Sequence, residues 1–213
     1  MNKYIAELYG TFLLVLSIIG THLMVDSFGA PPFIQLLCIA LVVALVLLSN
    51  ITIFSKVSGA HFNPAVSLVM LLNKELSIKE FLFFISFQSI GGLLGVILAN
   101  TMFGLDFIQI SDNDRSGFNI YLSEFIATFG LIITILGVRR LSTVAIGPAV
   151  GLYISAGYWF TSSTSFANPV VTLSRGFTDT FTGISPEFIL PFILFQLMGA
   201  VVAMLFMNFL ENE

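Results

Sequence analysis

The stretch SFANPVVTLSR, residues 165–175, places Asn168-Pro169 inside a strongly hydrophobic half-chain. Asn as N-cap with Pro in the first turn opens a helix, ordinarily at a protein surface. Almost no polar surface is at hand here. A second Asn-Pro, Asn63-Pro64 in SGAHFNPAVS (residues 58–67), stands in the same kind of setting. Each opens a segment too short to cross a bilayer: nine residues from Pro64 to Leu72 and eleven from Pro169 to Asp179. At the α-helical rise these are roughly 13 and 16 Å long, together about the 30 Å of a hydrocarbon core. Two half-helices entering from opposite faces would meet near the midplane, N-terminus to N-terminus. Each Asn oxygen would then cap its own helix, leaving its NH2 group free to donate toward a lumen. Two positive dipole ends converging there repel cations.

Composition supplies the membrane. Charged residues are 9% and hydrophobic residues 57% of the 213, against roughly a quarter charged in soluble domains; mean hydropathy is +1.00. A net charge of −4, scattered between apolar runs, gives nucleic-acid binding no support. The single cysteine, Cys38, excludes an intrachain disulfide and reads as a packing residue. Six runs can span: 4–24, 33–54, 80–103, 119–138, 141–160 and 187–209. The first is a retained span and not a signal peptide, because Glu7 interrupts it and no clean cleavage site follows. With both termini cytoplasmic, Lys3, Lys56, Lys74, Lys79, Arg139 and Arg140 lie inside and only Arg115 and Arg175 outside, as the positive-inside rule requires.

The chain repeats itself in order. AELYGTF carries Glu7 and Thr11, and SEFIATF carries Glu124 and Thr128 at the same spacing. Gln88 and Gly91 answer Gln196 and Gly199. Three spans per half is an odd number, so the second half enters the membrane inverted. The expected organisation is one channel domain over 1–213, with repeat halves 1–103 and 119–213 joined by an outer loop 104–118. Irregular backbone at mid-membrane survives only if it is buried or lines a watery cavity. The small, polar leads SKVSGAH and SSTSFA meet that condition and can turn carbonyls toward a pore.

These residues resemble the aquaporin and aquaglyceroporin family, the major intrinsic proteins, over essentially the whole chain. SGAHFNPAVS is similar to the family's first Asn-Pro-Ala loop and FANPVVT to the second; the paired Glu-x-x-x-Thr and Gln-x-x-Gly spans match as well. The resemblance implies an all-α membrane fold, aquaporin-like, of six transmembrane helices plus two re-entrant half-helices in an inverted repeat. It also implies a homotetramer with one pore per subunit, passing water or small neutral solutes passively. It places Asn63, Pro64, Ala65, Asn168, Pro169 and Val170 at the pore junction and His61 on the pore wall. Glu7 and Glu124 become structural acceptors for the re-entrant loops, where burial alone would argue for a proton relay. His61 could equally brace its loop. No cofactor, metal or enzyme activity is expected: His22 and Asp26 are too few ligands for a metal, and no nucleophile–base pair is evident.

The departures set the substrate. The family's second motif runs Asn-Pro-Ala-Arg, and this chain has Asn168-Pro169-Val170-Val171. The remaining filter positions carry over as Val43, Ser165 and either Ala156 or Tyr158, a ring without a fixed charge. That ring would be wider and greasier than a strict water filter. It resembles the bacterial branch that lacks the filter arginine and is associated with metalloids and arsenic, whose look YWFTSSTSFANP shares. Expected solutes are glycerol-like polyols, urea, undissociated acids such as arsenous acid, and water, across the plasma membrane of a bacterium. The alternatives are a water-selective channel narrowed by Tyr158 or Trp159, and a secondary transporter. Arg175 lies one turn beyond Val171, either as a vestibule cation that orients solutes or as a tether paired with Asp179.

Overall fold

A computed structural model describes residues 1–211. Its helices are α1 (Asn2–Asp26), α2 (Pro32–Ser58), α3 (Pro64–Leu72), α4 (Ile78–Met102), α5 (Phe118–Leu141), α6 (Ile146–Phe160), α7 (Pro169–Arg175) and α8 (Pro186–Glu211). Six are long and apolar enough to cross a membrane, and α3 and α7 are the half-helices. All six expected spans are present, the sixth preceded in the chain by α7. The span expected at 141–160 begins with a 3-10 turn, Thr143–Ala145, before α6 proper. Residues 212 and 213, the end of the expected second half, lie outside the described residues.

Local chemistry sets the helix ends. Pro32 occupies the first turn of α2, and Gly59 ends it at φ 89°, a left-handed cap that glycine adopts without strain. Ser77 and Glu80 form a reciprocal capping box at α4. Asn63 accepts from Ala65 N at 2.8 Å to start α3. Asn168 accepts from Val170 N at 3.0 Å and Val171 N at 3.3 Å to start α7. The expected eleven-residue second half-helix stops after seven, at Arg175. Beyond it the chain pairs with the connecting loop instead: Ser111 N donates to Gly176 O and Gln109 N to Phe177 O, each at 3.1 Å. At about 1.5 Å per residue α7 is therefore roughly 10 Å long and not 16.

The packing repeats with the sequence. Helix α1 lies against α4 and α2, as α5 lies against α8 and α6, and α2 meets α6 between the halves. The half-helices touch each other and are held by α4 and α8. Buried aliphatic residues such as Val15, Ile39, Val96 and Ile132 fill the centre. Leu41, Leu45, Leu82 and Leu94 are exposed on the outer face, the arrangement of a bundle solvated by lipid. Cys38 is only half-buried and unpaired.

Candidate functional site

Both re-entrant loops run through left-handed backbone without glycine: Ala60 at φ 53°, Phe62 at 49°, Ser165 at 50° and Ala167 at 48°. Such conformations cost about 1–3 kcal/mol each and persist only where their surroundings hold them. Two fully buried carboxylates do so. Glu7 accepts from His61 N at 3.0 Å, Phe62 N at 2.7 Å, Ser58 Oγ at 2.6 Å and Gln88 Nε2 at 2.8 Å. Glu124 accepts from Phe166 N and Ala167 N, both at 2.9 Å, and from Gln196 Nε2. Gln88 and Gln196 in turn reach Ser67 and Thr172, the hydroxyls on the half-helices. Every carboxylate oxygen of the two glutamates accepts at least one hydrogen bond, and four of the donors are backbone N–H groups of the two loops.

The two Asn-Pro junctions interlock. Asn63 Nδ2 donates to Ala167 O and Asn168 Nδ2 to Phe62 O, each at 2.8 Å. The expectation that each NH2 group is free for the lumen is corrected in this respect. One of its two N–H bonds satisfies the opposite loop's backbone carbonyl, a group that must be paired when it is buried. Pro64, Ala65, Pro169 and Val170 are buried beneath the junction.

Asn63 and Asn168 line a cavity of about 190 Å³. Toward one end its wall includes His61, Met70, Glu75 and Arg139. The His61 ring nitrogen Nδ1 stands 3.0 Å from Ser67 Oγ, so this side chain both faces the cavity and braces its loop. Arg139 binds both carboxylate oxygens of Glu75, at 2.8 and 3.0 Å. In the sequence Arg139 reads only as an orienting charge, because nothing local links it to Glu75, which is remote in the chain.

Toward the other end lie Val43, Tyr158, Ser165 and Val171, none more than 4% exposed. Ala156 is exposed on the opposite side of α6 and lines nothing in the cavity. Two residues along a helix turn the side chain by about 200°, so of the two candidates only Tyr158 reaches the lumen. Trp159 is 49% exposed and likewise faces away.

Arg175 also lines this end, so the ring positions Val43, Tyr158, Ser165 and Val171 carry no charge but a cation borders the same cavity. The tether to Asp179 is not formed: the Asp179 carboxylate accepts from Asp112 N at 3.3 Å instead. Arg175 is 2% exposed. Its Nε donates to Thr182 O, its guanidinium carbon is 3.4 Å from the Phe166 ring centroid, and its Nη1 has no partner. Arg115 lies 4.7 Å from the same ring and donates to the carbonyls of Gly183, Ser163 and Phe181. Burial draws the Arg115 pKa down to about 10, which leaves it charged at neutral pH. The loop DNDRSG, read from sequence as a connector, thus delivers a second cation to this mouth; only folding brings it to Phe166.

The sequence pattern of the family described as Major intrinsic protein matches residues 1–141. The chain is 42% identical over 209 residues to the aquaglyceroporin AqpS of Rhizobium meliloti (strain 1021), covering 98% of this chain and 90% of that protein. It is 30% identical over 187 residues to the aquaporin NIP3-1 of Arabidopsis thaliana, covering 81% of this chain and 57% of that protein. Among solved structures, the aquaglyceroporin from Plasmodium falciparum matches with a TM-score of 0.79 at 21% identity, over 96% of this chain and 94% of that one. At that identity the likeness is one of fold.

Proposed function

Because the chain belongs to the major intrinsic protein family, whose members are membrane channels and not enzymes, we propose that its cavity passes small neutral solutes passively. Glycerol-like polyols, urea, undissociated metalloid acids such as arsenous acid, and water are the solutes this reading takes in. One observation carries it: a single cavity touches both Asn63 and Asn168 and has aliphatic Val171 in place of a bulky cation beside the junction. An apolar wall opposite a few polar groups suits solutes larger than water that carry both kinds of surface. The six basic residues expected on one side favour a cytoplasmic N-terminus, and the likeness to AqpS of Rhizobium meliloti favours a bacterial inner membrane. A homotetramer in the bilayer, as the family resemblance implies, belongs to the same reading.

Stopped-flow light scattering on proteoliposomes tests the reading. Glycerol, urea and arsenous acid should enter faster than into protein-free vesicles, in proportion to their gradients and without dependence on proton or sodium gradients. A second reading, a water-selective channel, is favoured by the bulky Tyr158 and Arg175, both buried and both lining this end of the cavity. Water passage with solute entry at the protein-free rate would establish it and overturn the first.

A further inference from the structure

The two ends of the cavity each carry one guanidinium on the wall, and the two are held differently. Arg175 is buried and donates to a backbone carbonyl, that of Thr182. Arg139 is held by another side chain: Glu75 takes both of its bonds, at 2.8 and 3.0 Å, and Met70 Sδ stands 3.3 Å from Nη1. Both members of that pair are partly exposed. Among the described residues, the other two ion pairs join neighbouring helices and lie off the cavity, Lys3–Glu80 between α1 and α4 and Arg140–Glu211 between α5 and α8. Arg139–Glu75 differs on both counts, tying α5 to the turn after α3 on the cavity wall. That turn is firm. Lys74 takes φ 63°, and Met70 O accepts from both Glu75 N and Leu76 N, at 2.8 and 3.3 Å. The backbone under Glu75 is thus fixed to α3, and what can move is the pair of side chains. Water competes for both partners, so a pair of this exposure is made and broken at little cost.

We propose that Arg139 and Glu75 form an ionic latch across the mouth at their end of the cavity: made, the pair bars passage; parted, it leaves the mouth open. The latch rests on the channel reading of the same cavity and gives that channel a second constriction, in series with the ring at Val171. The two constrictions differ in kind. The ring is built of buried side chains, and packing fixes its width. The latch is two charged side chains, and its open fraction follows their attraction. Salt weakens that attraction and raises the open fraction. Because an exposed pair shifts such an equilibrium only modestly, the closed form outweighs the open by no more than about fivefold.

Water flow into proteoliposomes reads the open fraction, with potassium chloride equal inside and out. Glu75→Gln keeps the side-chain volume, so a gain in flow reports lost attraction and not a wider mouth. Flow should rise in Glu75→Gln and in Arg139→Met, in each by up to about fivefold. Combining the two should add little more, since one latch opens only once. The exchange Glu75→Arg with Arg139→Glu should bring flow back toward the wild-type rate. Wild-type flow should also climb as potassium chloride is raised, and Glu75→Gln should lose that response. A Glu75→Gln protein that conducts no faster than wild type, or that keeps the wild-type response to salt, would overturn the latch. So would a double variant whose gain is the product of the two single gains. If the exchanged pair elutes as aggregate, Glu75→Gln and its salt response decide alone. Water is the readout throughout, so a wild type that carries water and admits glycerol at the protein-free rate would sink the solute-channel reading without touching the latch.

Discussion

Gly91 passes so near Leu8 that a Cβ added to it would stand 2.2 Å from the Leu8 carbonyl oxygen. Its counterpart in the second half, Gly199, stands in the same relation to Phe125 O, at 2.3 Å. The atoms met are backbone, so no rotamer change relieves the clash; α1 must part from α4, or α5 from α8. Overpacking of this kind costs about 1–3 kcal/mol, and more where the neighbour cannot move. Gly91→Ala and Gly199→Ala should each lower the midpoint of thermal aggregation in detergent and the monodisperse fraction. Gly137→Ala is the control, since nothing lies within 4 Å of its added Cβ, and it should match the wild type or exceed it slightly.

Glu7 and Glu124 hold the two loops, and Glu7→Gln separates holding from proton transfer. The amide replaces one acceptor oxygen with a donor facing a backbone N–H or the Gln88 amide. Losing a hydrogen bond to a charged acceptor costs roughly 1.5–3 kcal/mol. Thermal stability should fall by that order, and solute flux in the surviving folded protein should stay indifferent to a proton gradient. A wild-type flux that responds to the gradient, with the response gone in Glu7→Gln, would reinstate the relay.

Much of this arrangement is legible in the sequence because helix caps and buried acids are local or repeated signals. Glu7 and Glu124 form one repeated pair and Asn63 and Asn168 another, in the same order in each half. What stayed hidden depends on pairs distant in the chain. Arg115 and Arg175 converge on Phe166 only because the connecting loop pairs with the segment after α7, and that pairing also cuts α7 short at Arg175. Arg139 and Glu75 meet across the bundle for a similar reason. The choice between Ala156 and Tyr158 turned on the rotation of α6, which an ambiguous loop length left open.

Val171→Arg tests what the aliphatic position does. The new guanidinium would enter the ring four residues before Arg175, narrowing it and adding a like charge one turn away. Glycerol passage should drop at least tenfold, and water passage by no more than about threefold, since rejection by size grows with the solute. Parallel stopped-flow traces check this. Equal loss of both would place the constriction elsewhere.

The Arg139–Glu75 pair lines the opposite end of the cavity, but its side chains are 32% and 43% exposed. Partly solvated pairs contribute about 0–1 kcal/mol, and less in high salt. A double-mutant cycle with Arg139→Met and Glu75→Gln should therefore give a coupling under about 1 kcal/mol in thermal stability. Water flux should change in Arg139→Met without that loss of stability, because the side chain lies on the cavity wall. A coupling of several kcal/mol would instead make this pair a structural clamp between the α3 turn and α5.

Asn168→Asp is the sharpest test of the midplane. Its carboxylate would still accept from Val170 N and Val171 N, so α7 keeps its cap. Two other things change at once: Phe62 O loses its 2.8 Å donor, and a negative charge arrives where two half-helix N-termini oppose cations. The first change loosens the interlock with the opposite loop. The second lowers the electrostatic barrier, so sodium or proton leak into proteoliposomes should rise above the wild-type level while water continues to pass. Asn63→Asp should behave alike, its lost partner being Ala167 O. A variant that stays folded and conducts water with no added cation leak would show that exclusion resides at the Arg175 end, where Arg115 and Arg175 already supply positive charge.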